Sequence, residues 1–113
     1  MHNWKRTLTA EAETELREAG ILLAEARRRR GLSVRKLAAR MGVDRRTLAQ
    51  LEEGSPSVSL GVFFQALSAL DLLRGMSEVL RPENDIEGIS AAVRRARKRL
   101  PPLKAIKDDE VEF

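Results

Sequence analysis

The chain has 113 residues, a formal net charge of +4 and no cysteine. That length holds one domain with a modest core and perhaps tails, of the size that often gains stability as a dimer. The lack of cysteine excludes disulfides and thiolate chemistry and fits a reducing cytoplasm, and no apolar run approaches the length of a membrane span.

The first residues, Met1-His2-Asn3-Trp4-Lys5-Arg6, lack the apolar stretch of a signal peptide and read as a flexible end over residues 1–8. One histidine, His2, makes no zinc site. Apolar residues then recur at helical spacing and no strand-like alternation of any length appears, so the expected fold class is all-α. Helix 1 is expected from about Thr9 to Arg30. Thr9 is its N-cap, Glu11 and Glu13 complement the helix dipole, and Leu16, Ala19, Leu23 and Ala26 share one face. Arg30 followed by Gly31 marks its end. Helix 2 is expected over Val34–Met41 behind Ser33, and helix 3 over Arg45–Glu53 behind Asp44. Gly54-Ser55-Pro56-Ser57 is a loop by composition.

Helix 4 starts near Ser59, with Leu60, Phe63, Leu67 and Leu70 at spacings of three and four. A short helix over Leu72–Leu80 follows. Its Leu72, Leu73, Met76, Val79 and Leu80 are too apolar for a surface helix and form either core or, preferably, a dimer seam. This gives a domain over residues 9–81, and residues 82–113 as linker, basic helix or tail, and acidic end. A basic helix over Ile86–Leu100 stops at Pro101-Pro102. The segment Arg94–Lys107 shows no convincing apolar face. It is expected to be dispensable for folding and to serve either non-specific DNA attraction or partner docking.

Charge placement matters more than the total. Between Arg27 and Arg46 the only acid is Asp44, against Arg27, Arg28, Arg29, Arg30, Arg35, Lys36, Arg40, Arg45 and Arg46. Arg94–Lys107 contains no acid at all, and Asp108-Asp109-Glu110-Val111-Glu112 then reverses the sign. Such windows are either solvated helix faces or the footprint of a polyanion such as nucleic acid. Arg45 and Arg46 weigh toward the second, because cations at a helix start oppose the dipole unless an external anion meets them.

"LSVRKLAARMGVDRRTLAQLEEG", Leu32 to Gly54, is two short helices joined by a glycine turn, the helix-turn-helix pattern. Ala38 is small enough for a close helix crossing. Gly42 tolerates the positive φ of the turn. Val43, Leu48 and Leu51 plug into the core against Leu37 and Met41. No nucleophile–histidine pair, clustered metal ligands or phosphate-cradling glycine loop is present, so no enzyme and no cofactor is expected.

With "GLS" at 31–33, "LAARMGV" at 37–43, "TLAQLEEG" at 47–54 and "VSLGVFFQAL" at 58–67, together with Arg27, residues 20–80 resemble the Cro/phage-repressor (Xre) helix-turn-helix proteins. The resemblance implies a five-helix Cro/repressor-type domain, here with a basic C-terminal extension. It also implies base reading by Arg45, Arg46 and Gln50, and phosphate contacts from Ser33, Arg35 and Ser57. Ala38, Gly42 and Leu48 are the structural residues of the motif. In some members the match to Arg27 pairs with the match to Glu52; as a residue, Arg27 fits either that ion pair or a phosphate. "PSVSLG", "ALSALDLL" and "RKRLP" are similar to HipB-like antitoxins, which pair with a HipA-type kinase toxin and repress their own operon. Val34 departs from a usual glutamine, Glu53 from a neutral or basic residue, and Asp71 from a glycine.

The expected function is therefore that of a sequence-specific transcriptional regulator, a repressor or antitoxin-type autoregulator of a toxin-antitoxin operon. Its expected partners are double-stranded DNA with a palindromic operator, a second copy of itself and a HipA-like kinase, with no membrane, in a cytoplasmic, nucleoid-associated location. The alternative is an antitoxin that grips a kinase-type protein and binds little DNA of its own.

Overall fold

Polar side chains start the helices, and left-handed residues stop the first four. The computed structural model describes residues 8–101; the expectations for His2, Trp4, Lys104, Lys107 and the acidic end lie outside that range. Among the described residues five α-helices form: α1 (Ala10–Arg29), α2 (Val34–Met41), α3 (Arg45–Glu52), α4 (Leu60–Ala69) and α5 (Ile86–Arg99). Thr9, Ser33, Asp44, Ser59 and Asp85 each accept a backbone N–H of the first turn with their side chains, removing one orphan donor per helix.

The first four helices end alike. Leu32 N–H bonds the Arg27 carbonyl at 3.2 Å, and Gly31 N–H bonds that of Arg28 at 2.9 Å. The same paired bonds recur at Gly42-Val43, Gly54-Ser55 and Asp71-Leu72. They form the Schellman arrangement, which needs one residue in the left-handed region. Gly31, Gly42 and Gly54 hold φ of +66°, +72° and +76°, and Asp71 holds +60°. Asp71 is thus the one place among these ends where a Cβ is carried into that region.

The chain divides between Arg74 and Gly75 into two compact units. In the first, α1 packs on α3, and α2 packs on α3 and α4. Leu37, Leu48 and Leu70 are fully buried at the centre, surrounded by Leu23, Ala24, Ala26, Ala38, Met41, Leu51, Ala66 and Leu67. Leu60, which shares the helical spacing of Phe63, Leu67 and Leu70, is 67 % exposed. As the first helical residue behind the Ser59 cap, it lies at the edge of the packed face.

One glycine is a packing device. Gly20 lies mid-helix in α1, and a Cβ there would overlap the Glu52 carbonyl and come within 2.9 Å of the Gly54 nitrogen. α1 therefore rests on the backbone at the end of α3, which cannot swing aside as a side chain would. Gly20→Ala should lower stability by about 1–3 kcal/mol, because overpacking outweighs the gain in helix propensity. A fall in the urea midpoint at constant m-value would show it.

The helix expected over Leu72–Leu80 does not form. After left-handed Asp71 the chain turns, Gly75 takes φ +88°, and only the 3₁₀ turn Glu78–Leu80 is regular, followed by a second at Pro82–Asn84. A left-handed residue inside the run breaks the helical ladder whatever the apolar content around it. The fifth helix is instead Ile86–Arg99. The expectation of no apolar face applies to Arg94–Lys107, of which residues 102–107 lie outside the described range; the helix that carries its first part begins earlier. Reading from Arg94 leaves out Ile86, Ile89 and Val93, which the Asp85 cap brings onto the helix, and these three lie on one side with Ala96.

Candidate nucleic-acid interface

The turn between α2 and α3 sets the interface. Gly42 reverses the chain, Val43 follows half-buried, and Asp44 caps α3 by accepting the Arg46 N–H at 2.8 Å. Ala38 and Leu48 are buried where the two helices cross. This fixes the first turn of α3 at the surface with two arginines on it.

Arg45 and Arg46 are both exposed, and among the described residues no carboxylate comes within ion-pair distance of either. Both line a shallow depression shared with Ser33, Val34, Arg35, Asp44 and Ala49. The structure therefore brings Ser33, Arg35, Arg45 and Arg46 together, three cations and a hydroxyl around one open surface. The Ser33 oxygen accepts the Lys36 N–H at 3.1 Å as a helix cap, so its hydroxyl proton is the group that can meet an external acceptor.

Gln50 and Ser57 do not line that depression. Gln50 is exposed one turn beyond Arg46 on the same helix face. Ser57 is exposed in the α3–α4 loop, its hydroxyl 2.8 Å from that of Ser55. Glu53 is exposed just past the end of α3, and Val34 is half-buried in the depression itself.

Arg27, for which sequence left two roles open, is internal. It is 7 % exposed. Its Nε donates to Glu52 Oε2 at 2.7 Å, Nη2 to Oε1 at 3.0 Å and Nη1 to the Leu32 carbonyl at 2.8 Å. The fork thus ties the end of α1, the link to α2 and the end of α3 into one point. The hydrogen bond to Glu52 raises the Arg27 pKa; burial opposes this and the Glu52 charge adds to it. The remaining cations of the first basic window, Arg28, Arg29, Arg30, Arg35, Lys36 and Arg40, are exposed. Arg30 donates back to the Ala26 carbonyl of its own helix at 2.8 Å.

Sequence reading missed Gly20 and the apolar side of α5. A glycine inside a strongly helical stretch, about 1 kcal/mol worse than alanine, was the available sign of the first. Among the described residues no group of His, Cys, Asp and Glu is placed to hold a metal ion, and no helix is long and apolar enough to cross a membrane.

No curated protein and no solved structure matches the chain. Residues 23–73, from the fourth turn of α1 to just past α4, match a helix-turn-helix protein family. With the α2–turn–α3 geometry, the all-α fold and the basic surface at the start of α3, this segment has the architecture of a Cro/repressor-type helix-turn-helix DNA-binding domain.

Proposed function

We propose that the chain is a sequence-specific transcriptional repressor that binds a palindromic operator as a homodimer in the cytoplasm. α3 enters the major groove, where Arg45, Arg46 and Gln50 read base edges. Ser33, Arg35 and Ser57 meet the phosphates on either side. The observation that carries this reading is the pair Arg45 and Arg46, exposed at the start of α3 without a protein counter-ion among the described residues. A cation there costs about 0.3–1 kcal/mol in the unbound protein, an expense that a bound polyanion offsets.

The test is a salt titration of binding to the DNA upstream of its own gene. If roughly five phosphates are neutralised per dimer, the log–log slope should be about −4 to −5. A flat response would remove the electrostatic basis of the reading.

The finer role we propose is autoregulator of a two-gene toxin–antitoxin module with a HipA-like kinase partner. It rests on the likeness of "PSVSLG", "ALSALDLL" and "RKRLP" to HipB-like antitoxins. Exposed Glu53 beside the DNA-facing helix favours a second reading, in which the domain mainly grips that protein partner. Co-purification with the product of the adjacent gene, together with the salt titration, separates the two.

A further inference from the structure

α5 carries an apolar stripe that its own unit leaves exposed among the described residues. Ile86, Ile89, Val93 and Ala96 follow one another at spacings of three, four and three, the heptad seam of a paired helix, and Leu100 continues the spacing just past the helix end. The exposures of Ile86, Ile89, Val93 and Leu100 are 76, 48, 46 and 63 %. A helix with such a stripe and a charged opposite side needs something to cover it.

Charge along the helix says what covers it. The leading end carries the cap Asp85 and, in the first turn, Glu87, while Glu83 in the preceding turn is already within ion-pair distance of Arg81; the trailing end carries Arg94, Arg95, Arg97, Lys98 and Arg99. Two copies side by side in the same direction would stack cation on cation. Two copies in opposite directions set each acidic end against the other's basic end. An anionic lipid surface would attract only one end and repel the other.

We infer that α5 is a self-association seam, in which the α5 helices of two copies pair antiparallel. The inference rests on the homodimer reading above and specifies where that dimer forms. It replaces the Leu72–Leu80 cluster, which forms no helix, as the seam. In the register that the apolar spacing allows, Ile86 of one copy packs against Ala96 of the other, and Ile89 against Val93. The flanking positions then bring the cap Asp85 of one copy near Arg99 of the other, and Ala92 faces Ala92 across the two-fold axis. A helix of 14 residues is only about 21 Å long, so the pair alone buries less than a standard interface. It should dissociate at about micromolar concentration and be reinforced when both DNA-binding units are engaged.

Because the chain has no cysteine, single cysteines report the register directly in the full-length protein. Ala92→Cys should form an interchain disulfide on oxidation. Ala96→Cys should not, since antiparallel pairing separates its two copies by about 15 Å, beyond disulfide reach. Ile89→Glu/Val93→Glu should make the protein monomeric at about 100 μM by sedimentation equilibrium and lower affinity for a two-half-site operator about 100-fold or more. The same variant should keep salt-dependent binding to a single half-site.

Cross-linking through Ala96→Cys, or a dimer that survives Ile89→Glu/Val93→Glu, would overturn the seam while leaving the DNA-binding reading intact. A wild-type chain that stays monomeric at about 100 μM and sediments instead with phosphatidylserine vesicles would overturn it in favour of a lipid surface. Failure of the half-site binding in wild type, with the expected cross-links present, would sink the DNA reading alone.

Discussion

Glu52→Ala is expected to destabilise the helix-turn-helix unit by about 3–5 kcal/mol. The side chains of Arg27 and Glu52 are 8 and 10 % exposed, and Glu52 takes two of the three hydrogen bonds that the guanidinium donates. Removing the carboxylate leaves a nearly buried cation with two donors that have lost their protein acceptors. Against a total stability of about 5–15 kcal/mol this is a large fraction. Melting should fall by at least about 12 °C for a unit of this size. Arg27→Met combined with Glu52→Leu should recover most of the loss, because an apolar pair of similar volume removes both the attraction and the desolvation penalty. Thermal melts of the single and double variants check this. A loss below about 1 kcal/mol for Glu52→Ala would mean that the pair behaves as an exposed ion pair and that the motif is held by apolar packing alone. The folded fraction of each variant should bind DNA normally, since a residue committed to the interior has no phosphate to lose.

The second large effect concerns recognition. Neighbouring residues on a helix point about 100° apart, so Arg45 and Arg46 are expected to perform different tasks. An arginine at the start of the recognition helix can bind O6 and N7 of guanine bidentately, worth about 1–3 kcal/mol against the wrong base, or about 5- to 150-fold. Arg46 shares a face with Gln50, whose amide suits adenine, so Arg46 is the better candidate for the base. Arg45 then takes an adjacent base or a phosphate beside Ser33 and Arg35. Replacing the base reader with alanine should relax preference at one operator position. Replacing the phosphate contact should weaken all sequences alike and reduce the salt slope by about 1. Binding of operator variants by Arg45→Ala and Arg46→Ala at two salt concentrations measures both. If both variants bind as tightly and selectively as the parent, the assignment of α3 as the reading helix fails.

Much of this protein is local in origin, and local features are legible in sequence. The spans of α2 and α3 follow from Ser33 and Asp44, which cap their own first turns, and from Gly42, which only has to be a glycine to reverse the chain. The burial of Leu37, Ala38, Met41 and Leu48 follows from helical spacing, because a stripe of small and apolar residues has to face the neighbouring helix. The exposure of Arg45 and Arg46 follows from the same phase, being the side of α3 left over when Leu48 and Leu51 turn inward.

Tertiary structure decided what spacing cannot carry. Arg27 and Glu52 are 25 residues apart in the chain, and only the packing of α1 on α3 places the fork on the carboxylate. Gly20 reads as a weak helix residue until the Glu52 carbonyl lies where its Cβ would be. Leu72–Leu80 has the composition of a helix, yet left-handed Asp71 and Gly75 divert its backbone into turns. The apolar stripe of α5 exists only once the Asp85 cap sets where that helix begins, so that residues before and after Arg94 share one face. For Arg27–Glu52 and for Gly20 the deciding contact joins groups that no short window along the sequence contains, and its energy depends on their distance in space.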